Sequence, residues 1–399
     1  MSNNSKYCWS CCYYNWDYLS IDKKEKGLLI DINYINIIVH AVFWLFGFFI
    51  LWKIPYCIKS KSSNKNNPVS LSVIIPARNE EKNLETLFNS LNNQTLKIKE
   101  VILVDDSSTD KTSKIGRKHN AKVISLKSLP KGWVGKSWAC YNGAKVAKGD
   151  YFLFLDADTK LSEKGIENIL SSLKRYKGVI SIQPYHRVKK IYENLSLFFN
   201  IILIAGMGAF TPFQTRINPI GAFGPCLICK REDYYKIDGH KSIKGKVMED
   251  IEIGKKFIEA KFPLFCLGGK GTIDFRMYPG GFKEMVKGWS KGFGTGAKST
   301  SIPVLIMVVA WIVGAIFPLN LLADGLSPFV PNIILIASVF YFAFITQIYW
   351  MSYRIGNFSI WAPVLYPIPL AFFVIVFFYS LILTIFRKKV SWKDREIKT

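Results

Sequence analysis

Hydrophobic and polar positions divide the chain into two textures. Between residues 69 and 300 short apolar runs alternate with amphipathic ones, whereas near residue 40 and beyond residue 302 the apolar runs are long and almost unbroken. In the middle region VSLSVIIPA (69–77), EVILVDDSSTD (100–110), AKVISL (121–126), YFLFLDAD (151–158) and GPCLICKRE (224–232) read as strands. EEKNLETLFNSLNNQ (80–94) reads as a helix with Leu84, Leu87 and Leu91 on one face, and KSWACYNGAKVAKG (136–149) as another. Strands alternating with helices predict an α/β fold with a mainly parallel sheet flanked by helices.

The long runs predict a different setting. Residues 35–54, INIIVHAVFWLFGFFILWKI, are long enough to span a bilayer. Three more apolar stretches, at about 302–323, 332–350 and 360–386, form a membrane region over 301–386 of two or three helices. Pro363, Pro367 and Pro369 predict that the last stretch starts broken or re-entrant. Residues 195–210, LSLFFNIILIAGMGAF, are short for a span and carry Asn200, so a buried or membrane-lying helix is expected. The chain then divides into a polar segment 1–34, a span 35–54, an α/β domain 69–300, the region 301–386 and a basic tail 387–399.

Charge sharpens this picture. The 399 residues carry a formal charge of +24. No basic helix alternates with stacking aromatics, so nucleic acid is not the expected partner; the lysines fit the cytoplasmic side of a membrane protein. KIPYCIKSKSSNKNNP has four lysines and no acid, against four lysines and four acids in residues 1–34, which puts residue 53 onward in the cytoplasm. Three crossings after a cytoplasmic domain would leave the tail outside, whereas its six positive residues against two acids favour inside. Residues 1–34 lack the pattern of a signal peptide. Cys8, Cys11 and Cys12 crowd the start of the chain and leave disulfide, acylation or no role open, while Cys226 and Cys229 sit three apart in a strand, on opposite faces, and read as packing.

The candidate chemistry lies at strand ends. Asp156 and Asp158, two residues apart, would share one face at the end of a parallel strand, where open α/β sheets bind ligands; paired carboxylates there suit a hard divalent cation (Mg2+ or Mn2+) holding a diphosphate. Asp106, ending a second strand, can accept the imide N–H of uracil. Pro76 and Ala77 end a third, where backbone meets a nucleoside, and Glu80 can contact base or ribose. Turn chemistry at DDSSTD and a helix start at RNEE are the plain alternatives. Lys136, in KGWVGKSWACYNGA, can face phosphate. Glu249 and Asp250 enter a helix, where a carboxylate can take a proton from an attacking hydroxyl or simply favour the helix N-terminus. Trp289, in EMVKGWSKGF, can stack on an acceptor or anchor at an interface.

The order PARNEE, DDSSTD, GK, DAD and ED resembles the family 2 glycosyltransferases of GT-A fold, over about residues 69–300. The strings KGWVGKSWAC, SIQPYH, AFGP, EDYYKIDGH, FRMY and VSWKDRE resemble a membrane subgroup that glycosylates carotenoids and hopanoids, diaponeurosporenoate glycosyltransferases included. The resemblance implies inverting transfer from a UDP-sugar, with UDP-glucose first in line. Asp106 would recognise uracil, Asp156 and Asp158 would handle ribose, metal and diphosphate, and Asp250 would be the base, with Glu249 and Trp289 towards the acceptor. It further implies a multi-pass protein of the cell membrane acting on a lipid such as a carotenoid acid or related isoprenoid. The Q-x-x-R-W element typical of processive members is absent, GWSK around Trp289 standing in its place. That disfavours the first rival, a synthase of polysaccharide or cell-envelope glycan. The intact acids disfavour the second, a catalytically silent membrane scaffold.

Overall fold

The computed structural model describes residues 23–60, 69–213, 218–290, 299–324, 333–387, 389–392 and 395–398. The expectations for Cys8, Cys11 and Cys12, for the lysines of 61–68 and for Lys291 of GWSK fall outside the described residues.

Helix α1 (Lys23–Ile50) leads into β1 (Val69–Ala77), α2 (Glu81–Asn92), β2 (Ile98–Asp106), α3 (Thr112–Lys118) and β3 (Lys122–Leu126). Then come α4 (Gly135–Val146), β4 (Tyr151–Leu155), β5 (Thr159–Leu161), α5 (Gly165–Tyr176), β6 (Val179–Gln183), β7 (Tyr185–His186) and α6 (Leu197–Gly206). The rest of the α/β part is β8 (Cys226–Lys230), α7 (Arg231–Lys236), α8 (Glu249–Glu259), β9 (Leu264–Gly268), β10 (Ile273–Phe275) and α9 (Phe282–Trp289). Helices α10 (Ile302–Asp324), α11 (Ile333–Ile355), α12 (Trp361–Val364) and α13 (Pro367–Arg387) follow, and β11 (Lys389–Trp392) pairs antiparallel with β12 (Arg395–Lys398).

Seven strands form one sheet in the order β3-β2-β1-β4-β8-β6-β9. Only β8 runs against its neighbours β4 and β6. A small second sheet, β5-β10-β7, closes one end. The apolar run of β1 follows from burial on both faces: Val73 and Ile75 join Leu84 and Leu87 of α2 and Ile169 of α5, while Ile74 joins Cys140 and Ala144 of α4 and Phe257 of α8. Cys226 and Cys229 divide between the same two layers, as their spacing in a strand requires. The pairings Ala77 with Asp105 and Ile74 with Phe154 bring the carboxyl ends of β2, β1 and β4 to one edge.

Two expectations need correction. Strand β4 stops at Leu155, so Asp156 and Asp158 lie in the following turn, closed by the Thr159 N–H donating to the Asp156 carbonyl at 3.2 Å, and strand alternation does not set their directions. The first apolar helix starts at Lys23 and ends at Ile50, not 35–54. Arg354 ends it by donating to the carbonyls of Leu51 at 2.7 Å and Trp52 at 3.3 Å.

The other long runs behave as their composition suggests. Residues 197–206 form a buried helix whose Asn200 amide donates to the Ser196 carbonyl at 2.9 Å. The last run is broken between Val364 and Pro367. Helices α10 and α11 are long and apolar enough to cross a membrane, with only 39 % and 28 % of their apolar windows buried. Gln347 of α11 ties the bundle together: its carboxamide accepts from the Trp311 indole at 2.7 Å and donates to the Trp44 carbonyl at 2.8 Å. One apolar cluster joins α1, α6, α9, α10, α11 and α13, and Phe223 and Ile251 of the α/β part enter it.

Helix α8 reaches its place only because Gly254 is bare. A Cβ there would overlap the Ala222 backbone nitrogen and lie 2.6 Å from the Gly221 carbonyl carbon. Gly254→Ala is expected to cost about 1–3 kcal/mol of unfolding free energy, read as a lowered denaturant midpoint. An unchanged midpoint would contradict this packing.

Candidate active site

Two loops at the sheet edge are zipped together by side chain–backbone hydrogen bonds. Asn79, with a left-handed φ of 54°, accepts the Thr109 N–H at 2.9 Å on Oδ1 and donates its own N–H to Ser108 Oγ at 2.9 Å. Asp110 accepts the N–H groups of Glu81 at 3.1 Å and Thr112 at 2.9 Å, serving the first turns of α2 and α3 at once. Burial opposes ionisation of Asp110, but its hydrogen bonds, Thr112 foremost, hold the carboxyl below the usual range. Asp105 accepts from the Ser108 N–H at 2.9 Å and from the Ser113 hydroxyl. Turn chemistry therefore accounts for Asp105 and Asp110. Asp106 ends β2: its carbonyl accepts from Arg78 at 2.6 Å, and the residue is 1 % exposed beside Ala77 at the strand ends. Pro76 lies in β1 opposite Val104, and Glu80 precedes α2 with its carboxylate accepting from Asn83 at 2.7 Å.

One strand beyond β1, the turn after β4 meets the starts of α4 and α8. The Lys136 ammonium lies 2.9 Å from Asp156 Oδ1, 3.2 Å from Asp250 Oδ1 and 3.5 Å from Glu249 Oε1. Burial pulls this ammonium down, and the three carboxylates, Asp156 foremost, more than reverse that and hold it well above the usual lysine range. One positive charge cannot neutralise three negative ones. Burial and then the Asp250 carboxylate push Glu249 above the usual glutamate range, against the pull of Lys136. Burial raises Asp250 as well, against the pull of Lys136.

The segment Gly221–Pro225 threads between these groups. The Asp156 N–H donates to the Pro225 carbonyl at 2.9 Å, and the Ala222 N–H to the Asp250 carbonyl at 3.3 Å. Ser181 holds the middle by accepting the Phe223 N–H at 2.5 Å and donating to the Phe223 carbonyl at 3.1 Å. Gly224 lies directly under the Asp250 carboxylate, which a Cβ at that position would overlap.

The fold thus brings together Asp156, Lys136, Glu249 and Asp250, with Ala77 and Asp106 on the adjoining strand ends. Trp289 lies apart from this cluster: it is 4 % exposed, stacked on Phe199 at 4.7 Å between ring centres, and its indole donates to Ser196 at 3.0 Å. Its ring meets Tyr278 edge-on at 5.5 Å, and Gly288 leaves room for the Tyr278 ring. Burial first and the Asp158 carboxylate second push the Tyr278 phenol above its ordinary range, which links Asp158 to this aromatic wall. Gly224, Ser181 and Tyr278 were not singled out from the sequence as site residues, although AFGP, SIQPYH and FRMY hold them. Their importance comes from contacts with partners distant along the chain.

Among the described residues no three Asp, Glu, His or Cys side chains converge as a complete metal cage. A hard cation that uses one or two carboxylates and fills its shell with phosphate and water suits the donor pair Asp156 and Asp158.

Glycosyl transferase family 2 matches residues 72–237. A 4,4'-diaponeurosporenoate glycosyltransferase of Staphylococcus haemolyticus is 37 % identical over 333 residues, covering 82 % of this chain and 88 % of the relative. The enzyme of the same name from Staphylococcus aureus is 33 % identical over 343 residues, covering 85 % and 91 %. The structure of the mannosyltransferase PcManGT from Pyrobaculum calidifontis, in complex with GDP-Man and Mn2+, superposes with a TM-score of 0.50 at 15 % identity, over 90 % of this chain and 98 % of that one, and so shares the GT-A-like fold. With relatives this similar over most of both chains, the protein belongs to glycosyl transferase family 2 and is a glycosyltransferase of the diaponeurosporenoate type.

Proposed function

We propose that this protein transfers a sugar, glucose in the first instance, from a UDP-sugar to an apolar lipid at a membrane, with inversion at the anomeric carbon. The observation that carries the reading is the clasp of Lys136 between Asp156 and Asp250 at the sheet edge, one residue from Ile251 in the apolar helix cluster. In this reading the anion-binding and proton-accepting groups stand beside the apolar helices along which a lipid acceptor would arrive.

In this reading Asp106 accepts the uracil imide, Pro76, Ala77 and Glu80 border the nucleoside, and Lys136 supports the diphosphate. Asp156 and Asp158 would hold a divalent cation, which when bound supplies charge neutralisation for the departing diphosphate. Glu249 lines the acceptor side. Trp289 backs the Tyr278 wall against which the acceptor head would lie. The acceptor oxygen attacks the anomeric carbon as the bond to the phosphate oxygen breaks, and UDP leaves with the electron pair. An alcohol acceptor gives its proton to Asp250. A carboxylic acid, the class the relatives' names indicate, is already ionised at neutral pH and attacks without a base.

The apolar helices give such an acceptor its route. Ile302, Ile306 and Val309 of α10, Leu335, Val339 and Phe342 of α11, and Ile375, Phe378 and Ile382 of α13 are each more than half exposed, forming an outward apolar belt suited to lipid. With Lys53 and Lys59 following α1, the reading puts α1, α10, α11 and α13 in the cell membrane and the α/β part, residues 69–300, in the cytoplasm.

The direct test incubates membranes containing the protein with labelled UDP-glucose, Mn2+ and host lipid extract, and counts label in the organic phase. Wild type is expected to label lipid. Loss of label in Asp250→Asn indicates a hydroxyl acceptor, and retention a carboxylate. UDP release with no label in the organic phase would contradict lipid transfer and favour a glycan product. Chelation with EDTA should abolish transfer and added Mn2+ restore it; full activity in EDTA would remove the cation from the account. With a hydroxyl acceptor, Gly224→Ala should lower kcat by about 10²-fold, since it displaces Asp250. Undiminished kcat for such an acceptor would sink that role for Gly224.

A further inference from the structure

The proposed donor reading leaves a conflict at Lys136. A lysine ammonium has three N–H donors. Five carboxylate oxygens already surround this one: Asp156 at 2.9 and 3.1 Å, Asp250 at 3.2 and 3.3 Å, and Glu249 at 3.5 Å. A diphosphate arriving beside Asp156 adds negative charge to a cluster with more carboxylates than cations. Lys136 cannot serve it with full strength while every donor stays on the carboxylates.

We propose that Lys136 is a shared ligand which leaves Asp250 for the donor's diphosphate, so that binding of the nucleotide sugar itself unmasks the Asp250 carboxylate. The inference rests on the UDP-sugar reading and adds an order of events to it. The geometry says which group moves. Asp156 is held through its backbone: its N–H donates to the Pro225 carbonyl at 2.9 Å, and its carbonyl accepts the Thr159 hydroxyl at 2.8 Å. Asp250 is fixed at the start of α8, its carbonyl accepting from Ala222 and its carboxylate lying over Gly224. Both acids have short stems on tethered backbone, whereas the lysine stem has four rotatable torsions. Its Asp156 contact is the shortest and lies on the donor side, so the longer Asp250 and Glu249 contacts are the ones released. Asp250 does not then stand uncompensated, because it occupies the first turn of α8, where the helix dipole favours an anion. Lys136 acts on the reaction through Asp250 and is in this respect a positioning residue: without donor it masks the carboxylate that an acceptor hydroxyl must meet.

The consequence runs against the usual effect of removing a site residue. Asp250 competes with the diphosphate for Lys136, so neutralising Asp250 should tighten nucleotide binding. The experiment is a double-mutant cycle on the full-length protein in detergent, reading UDP affinity by calorimetry at fixed Mg2+ for wild type, Asp250→Asn, Lys136→Gln and the double variant. Asp250→Asn is expected to bind UDP about tenfold tighter than wild type, and less than about twofold tighter in the Lys136→Gln background. Unchanged or weakened binding in Asp250→Asn overturns the exchange. Equal tightening in both backgrounds also overturns it, because simple relief of repulsion needs no lysine. Absence of UDP binding by wild type overturns the donor reading itself, and the exchange with it. A structure of the wild-type UDP complex gives the same answer without relying on folded variants. The exchange requires Lys136 Nζ at about 3 Å from a diphosphate oxygen and out of contact with Asp250, and a retained Asp250 contact refutes it.

Discussion

A single ammonium group organises this protein. Lys136 sits among the carboxylates of Asp156, Glu249 and Asp250, and charges withdrawn from water persist only where they are paired and hydrogen-bonded. Three separate pieces of chain must therefore meet within bonding distance of one side chain: the first turn of α4, the turn after β4 and the first turn of α8. The two-sided apolar core beneath them makes this possible, because strands buried on both faces hold a fixed register and end at a common edge. Burial first and the neighbouring Asp250 carboxylate second raise Glu249, and the excess of acids over cations makes the cluster receptive to further positive charge.

The five residues Gly221–Pro225 transmit this arrangement to the apolar helices. Pro225 fixes the backbone of Asp156, Gly224 supports the Asp250 carboxylate, and Phe223 points into the cluster shared by α6, α10, α11 and α13. Ile251, next to Asp250, enters the same cluster. A displacement of the helix bundle would accordingly be felt first at the Asp250 side of the site rather than at the Asp106 side, which rests on the zipped loops of Asn79, Ser108 and Asp110. The two halves of the site are thus supported by different physics, polar loop chemistry on one side and apolar packing on the other.

Much of this was legible in the sequence because it is locally encoded. Leu84, Leu87 and Leu91 spell the buried face of α2, prolines mark the break before α13, and the apolar run of β1 announces a strand covered on both sides. The acids at DAD and ED were legible as candidates because each sits where a predicted element ends or begins, and the fold brings Asp156 and Asp250 to one lysine. What escaped is non-local. The end of β4 at Leu155 rather than Asp158 comes with the turn that the Thr159 N–H closes on the Asp156 carbonyl, and Asp156 is tied to Pro225 in a distant segment with no periodic signal. The reversed direction of β8 leaves no trace in an apolar pentapeptide, and strands as short as β5, β7 and β10 fall below what alternation can reveal. Asp105 and Asp106 look alike in sequence; only the hydrogen bonds of Ser108 and Ser113 separate the turn-forming acid from its neighbour. Trp289 reads as a ring that stacks on an acceptor or anchors at an interface, yet Ser196 and Phe199 hold it in the interior.

The account stands on the sheet edge being a uridine-nucleotide site next to an apolar surface. The most direct measurement is the affinity of the full-length protein for UDP and for GDP, with Asp106→Ala beside wild type. Saturable UDP binding at least about tenfold tighter than GDP binding, and lost in a folded Asp106→Ala variant, is the predicted result. Equal affinity for the two nucleotides, or UDP binding indifferent to Asp106, would contradict it.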